Sequence, residues 1–77
     1  MSASKKHEVL DLIGVPCPLN WARAKAALEG MEIGSSLELV VDDPRAVRDI
    51  PAAAELEGYL VVAIETEPTR SRIVIER

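Results

Sequence analysis

The sequence predicts an α/β two-layer sandwich of order β-α-β-α-β-β, a four-stranded mixed sheet with both helices on one face. Three observations predict it. Four short runs rich in Val, Ile and Leu read as strands, two longer stretches of helix-forming residues each follow a proline, and Gly, Pro and Asp punctuate the joins. Two βα units in succession imply parallel strands with right-handed crossovers, which put both helices on the same side of the sheet. A closing hairpin then adds an antiparallel strand.

Taken in order, Glu8–Leu12 reads as the first strand, with Leu10 and Leu12 on its buried face. A loop over 13–16 leads to a helix from about Pro18 to Glu29. Its stretch Ala22–Glu29 is mostly strong helix formers, and Gly30 stands where a C′ stop belongs. Ser36–Val41 reads as the second strand, because Leu37, Leu39 and Val41 fall on one face. Asp42-Asp43-Pro44 marks a turn and a helix start, and its paired carboxylates read as capping and turn residues. Pro51 is awkward inside one helix. A short turn over 44–48 is therefore expected, followed by a main second helix from about Asp49, as cap, to Glu57, with Gly58 ending it. Tyr59–Glu65 and Arg72–Glu76 read as the third and fourth strands, joined by a hairpin loop over 66–70. Residues 1–7 read as a flexible tail, and 8–77 as one domain.

The bulk properties narrow the function. The chain has 77 residues, 48% of them hydrophobic, with nine basic and thirteen acidic residues and a formal charge of −4. That charge, with Trp21 and Tyr59 as its only aromatics, argues against nucleic acid as a direct partner. No apolar run approaches the roughly 20 residues needed to span a bilayer. The first residues lack the apolar stretch of a secretory signal, and a cytoplasmic setting is expected.

Cys17 is the single cysteine, and it falls between two prolines at the junction of the first strand and first helix. It is expected to be the N-cap or to lie within one position of it. Pro18 suits the first turn, where its missing N–H costs nothing. Unpaired N–H groups and the positive end of the helix dipole favour a thiolate there. Protease-like use of the thiol needs a base, and the one histidine, His7, stands at the opposite end of the parallel sheet. Zinc or iron–sulfur binding needs more ligands than one Cys and one His, so no metal or cofactor is expected. A thioredoxin-type exchange needs a second cysteine. What remains is group carriage on one sulfur, as a persulfide, or reversible oxidation sensing. Arg45, Arg48 and Arg70 fall at the same sheet edge as Cys17, where they can approach it. Trp21, one turn on, reads as a packing residue at the helix–sheet seam or a docking contact for a partner.

Asp11-Leu12-Ile13-Gly14-Val15-Pro16-Cys17-Pro18-Leu19, followed by Arg23-Ala24-Lys25 and Ala27-Leu28, resembles the first signature of the TusA-like (SirA/YedF-type) sulfur-carrier family. Val41-Asp42-Asp43-Pro44-Arg45-Ala46-Val47-Arg48-Asp49-Ile50-Pro51 resembles its second. The resemblance spans about 8–77 and implies a fold shared with the C-terminal domain of a bacterial translation initiation factor. It implies a sulfurtransferase-like carrier that holds sulfane sulfur as a persulfide on Cys17. A cysteine desulfurase or rhodanese-type protein would donate the sulfur, and an acceptor protein's cysteine would receive it. Gly14, Pro18 and Asn20 would support Cys17, and Arg45, Arg48 and Trp21 would contact the thiolate or a partner. Two positions depart from the family's pattern: Asn20 replaces the second proline of Cys-Pro-x-Pro, and Ile13 replaces a common arginine. Both point to a paralogue whose acceptor differs from that of tRNA thiolation. A second expectation is a non-catalytic regulatory or redox-sensing interaction module of the same fold.

Overall fold

The computed structural model describes residues 6–77. The elements are β1 (His7–Asp11), α1 (Leu19–Glu29), β2 (Ser36–Val41), α2 (Ala46–Leu56), β3 (Leu60–Thr66) and β4 (Ser71–Glu76), the expected β-α-β-α-β-β order. Of the expected tail, residues 1–5 lie outside the described residues. The Lys6 N–H donates to Ser35 Oγ at 3.1 Å, and His7 already belongs to β1.

Strand order in the sheet is β1-β2-β4-β3. β1 and β2 are parallel, with Leu10 opposite Leu39, whereas β4 runs antiparallel to both β2 and β3. The last strand in sequence therefore sits inside the sheet and β3 becomes an edge. Register puts Leu37 opposite Ile75 and Leu39 opposite Ile73, so the alternating apolar residues of β2 and β4 share one face. That face carries the core. Ala24 and Leu28 of α1, Ala46, Ile50 and Ala54 of α2, and the inward residues of β2 and β4 form one buried cluster, which places both helices on the same side. The Lys25 ammonium bonds Glu57 at 3.1 Å and ties α1 to the end of α2. That bond, with the charge of Glu57, holds the ammonium above its ordinary value. Among the described residues no helix is long and apolar enough to cross a membrane.

One helix departs from expectation. α2 is continuous from Ala46 to Leu56, Arg45 is its N-cap, and Pro51 lies inside it; Asp49 is in the first turn and caps nothing. Interior proline costs about 3 kcal/mol through a lost hydrogen bond and a ring clash. Breaking the helix would cost more. Ala46, Ile50 and Ala54, spaced by four, are all fully buried only on one uninterrupted helix, and Ile50 alone returns about 1.5–3 kcal/mol on burial. A break would also strand further backbone groups at two new helix ends.

The stop after α2 follows the expected glycine. Gly58, at φ +92°, donates its N–H to Glu55 O, while Tyr59 N–H reaches back to Ala54 O at 2.9 Å, the paired bonds of a Schellman motif. A Cβ at Gly58 would meet nothing within 4 Å, so only the left-handed backbone demands glycine there. Gly58→Ala is accordingly expected to cost about 1 kcal/mol, lowering Tm by about 4–8 °C in a thermal melt. Gly30 differs: it is the C-cap of α1 with φ −90°, a conformation open to other residues.

Candidate functional site

The thiol loop begins where β1 and β2 stop pairing. Leu12 N–H bonds Val40 O at 2.8 Å, extending the parallel ladder one residue beyond Asp11. The chain then turns through Leu12-Ile13-Gly14-Val15, closed by Val15 N–H to Leu12 O at 3.0 Å. Gly14, at φ +80°, occupies the third position of this turn, which in a type II turn requires a positive φ. The carboxylate of Asp11 takes the Ile13 N–H at 2.9 Å, and that of Asp42 takes the Gly14 N–H at 3.0 Å.

Cys17 follows, half-buried and with a free thiol. The Cys17–Pro18 peptide bond is cis, Pro18 is the N-cap of α1, and Leu19 opens the helix. Cys17 thus lies one position before the cap. The first N–H groups of α1 are largely spoken for. Asn20 N–H bonds Pro16 O at 3.0 Å, Trp21 N–H bonds Asn20 Oδ1 at 2.7 Å, and Ala22 N–H bonds Pro18 O at 3.1 Å. Among the described residues the Leu19 N–H is the first-turn donor left without a protein acceptor. The helix start therefore offers the sulfur less than four free donors would.

Asn20 itself is fully buried, in line with Ala24 and Leu28 on the inward stripe of α1. Its Oδ1 serves Trp21, while its Nδ2 has no partner. The spacing of Ala24 and Leu28 carried back one turn lands on Asn20, and that was the signal for its burial. Trp21 is half-buried, packs against the core, and stands edge-on to Tyr59 with ring centroids 6.3 Å apart.

The second helix start faces the same loop. The carboxylate of Asp43 accepts the backbone N–H of Arg45 at 2.9 Å and two guanidinium bonds, from Nε at 3.4 Å and Nη2 at 3.3 Å. The Arg45 N–H and guanidinium hold this carboxyl below the usual carboxylate range, and the Cys17 N–H adds to the effect. Arg45 is in turn held above its ordinary value, first by its hydrogen bond to Asp43 and more weakly by the charge of Cys17 as a thiolate. Arg45, one of the arginines singled out in the sequence, thus lies within electrostatic reach of Cys17. Arg48 pairs with Asp49 at 3.2 Å and is 80% exposed. Arg70 pairs with Glu67 at 3.7 Å, and both line a groove of about 340 Å³ together with Asp42, Asp43, Pro44 and Val47. Cys17 does not line that groove. Flanking Cys17 in the chain, Ile13 is 42% and Leu19 46% exposed, and Pro16 and Pro18 are exposed too. His7 stands at the far end of β1, bonded to Ser36 Oγ at 2.8 Å.

The fold and site together define a small α/β sandwich carrying one half-exposed thiol just before its first helix. The sequence model of the family described as Sulfurtransferase TusA matches residues 8–77, and the chain belongs to that family. Two relatives, both named as putative sulfur carrier proteins, show the range of likeness. The Archaeoglobus fulgidus protein is 41% identical over 77% of this chain and 67% of its own length. The Escherichia coli protein YedF is 32% identical over 88% of each. The SirA-like protein of Desulfitobacterium hafniense superposes with a TM-score of 0.76 at 28% identity, over 90% of this chain and 95% of its own.

Proposed function

We propose that the protein is a sulfur carrier that holds sulfane sulfur as a persulfide on Cys17 and relays it between two proteins. One observation carries the reading beyond family membership: the single cysteine is half-exposed at the start of α1, outside the groove, with a free thiol. Such a thiol suits an exchange in which the partner brings the other reacting sulfur. In loading, the Cys17 thiolate attacks the outer sulfur of a donor's cysteine persulfide. A new S–S bond forms on Cys17, the donor's S–S bond breaks, and the donor leaves as a thiolate. In delivery, an acceptor cysteine thiolate attacks the outer sulfur on Cys17, and Cys17 leaves as the thiolate. Neither step needs an external oxidant or reductant. Exposed Ile13 and Leu19 supply apolar contact for a docking protein. A cysteine desulfurase or a rhodanese-type protein is the donor class this chemistry fits.

The test is an intact mass after incubation with a cysteine desulfurase, cysteine and pyridoxal phosphate, or with rhodanese and thiosulfate. The expected result is the gain of one sulfur atom on Cys17, removed by a thiol reductant. No gain from either donor would leave the regulatory or redox-sensing reading in its place.

A further inference from the structure

We propose that Asp42 is a positioning residue for the Cys17 thiol, its carboxylate anchoring the thiol loop through the Gly14 N–H while Asp43 anchors Arg45. This deepens the carrier reading and rests on it for its meaning, though its geometry stands apart.

Counting the donors of the loop leads to the assignment. Pro16 and Pro18 have no N–H to give. The Ile13 N–H is taken by Asp11 and the Val15 N–H by Leu12 O, both within the loop's own turn. Only Gly14 and Cys17 can tie residues 13–18 to another segment by donating a hydrogen bond. Gly14 donates to Asp42 at 3.0 Å, and the Cys17 N–H faces the carboxylate of Asp43. The Gly14 bond and this weaker contact converge on two consecutive residues just beyond the end of β2. Asp43 is also the residue that grips the guanidinium of Arg45. The separation between the sulfur and its neighbouring cation is thus set by one short piece of backbone continuous with a central strand. An ionised acceptor makes the stronger kind of hydrogen bond, which suits an anchor on an exposed loop. The hydrogen bond Asp42 accepts comes from Gly14 and those Arg45 donates go to Asp43, and so Asp42 can be altered while the Asp43–Arg45 pair keeps its bonds.

The test uses the whole protein and avoids sulfur relay, so that its failure and that of the carrier reading are distinguishable. Iodoacetamide reports on the thiol directly: the thiolate displaces iodide and forms a thioether. Asp42→Ala is expected to slow this alkylation about two- to fivefold, the size of an exposed charge contact. Asp42→Asn keeps an acceptor for the Gly14 N–H and is expected to restore the rate to within about twofold of the parent. Amide hydrogen exchange gives an independent reading. In the unsubstituted protein the Gly14 N–H should exchange at least about tenfold more slowly than in an unstructured peptide, and Asp42→Ala should abolish that protection. The proposal is overturned by alkylation of Asp42→Ala at the parent rate, or by Asp42→Asn as slow as Asp42→Ala. It is equally overturned by a Gly14 amide unprotected in the parent protein, whether or not the alanine variant folds.

Discussion

Cys17→Ser is expected to abolish sulfur loading and delivery completely while leaving the fold intact. A serine hydroxyl is nearly isosteric with the thiol, but it forms no persulfide, and without an adjacent base it is not a nucleophile at neutral pH. The chain has no other cysteine to take over the role. Stability should move by no more than about 0.5 kcal/mol, because Cys17 is half-exposed and none of the core cluster is touched. Intact mass after incubation with a donor reads the first effect, and a thermal melt reads the second. Sulfur recovered on the serine variant would place the carrier site elsewhere and remove the reason for assigning it to Cys17.

The second large effect is on the fold. Leu39 is fully buried in the middle of β2, flanked by Leu10 of β1 and Ile73 of β4 and part of the single core cluster. Leu39→Ala removes its methyl groups where neighbouring strands on both sides are fixed by hydrogen bonds, so little collapse into the space can follow. A loss of about 3–4 kcal/mol is expected, against a total of roughly 4–11 kcal/mol for a chain of this length. In a thermal melt this is a fall of about 12–32 °C. Val9→Ala makes the contrast. Val9 is 61% exposed on the outer face of edge strand β1, and its loss should fall within about 0.5 kcal/mol of neutral. Equal effects at the two positions would mean that the core does not lie on the helix side of the sheet.

The fold was legible where local chemistry and global packing agree. Leu37, Leu39 and Val41 alternate as a half-buried strand must, and Gly58 stands where only a left-handed residue closes the helix. It was less legible where packing overrides a local rule. Pro51 argues for a break, and only the buried line of Ala46, Ile50 and Ala54 shows why the helix continues. The insertion of β4 between β2 and β3 has no local signature either, since both strands of the closing hairpin are aliphatic and only tertiary pairing decides which becomes the edge. At the candidate site, the position of Cys17 before a helix followed from its two prolines. The burial of Asn20 was signalled by the four-residue spacing of Ala24 and Leu28, but the reach of Asp42 to Gly14 depends on which segments meet in space, and a pair of aspartates before proline reads equally well as a simple turn.

The inward place of β4 has a consequence for synthesis. β3 has no neighbour in the sheet other than β4, and β2 is paired on only one side until β4 arrives. A ribosome that has not yet reached residue 71 therefore holds two strands and two helices with nothing to join them to the third. Ile73 and Ile75, which complete the buried face, are made after both helices and the other three strands. The four-stranded sheet cannot close until β4 has been made, and a nascent chain carries its cysteine before it has the frame that presents it to a partner.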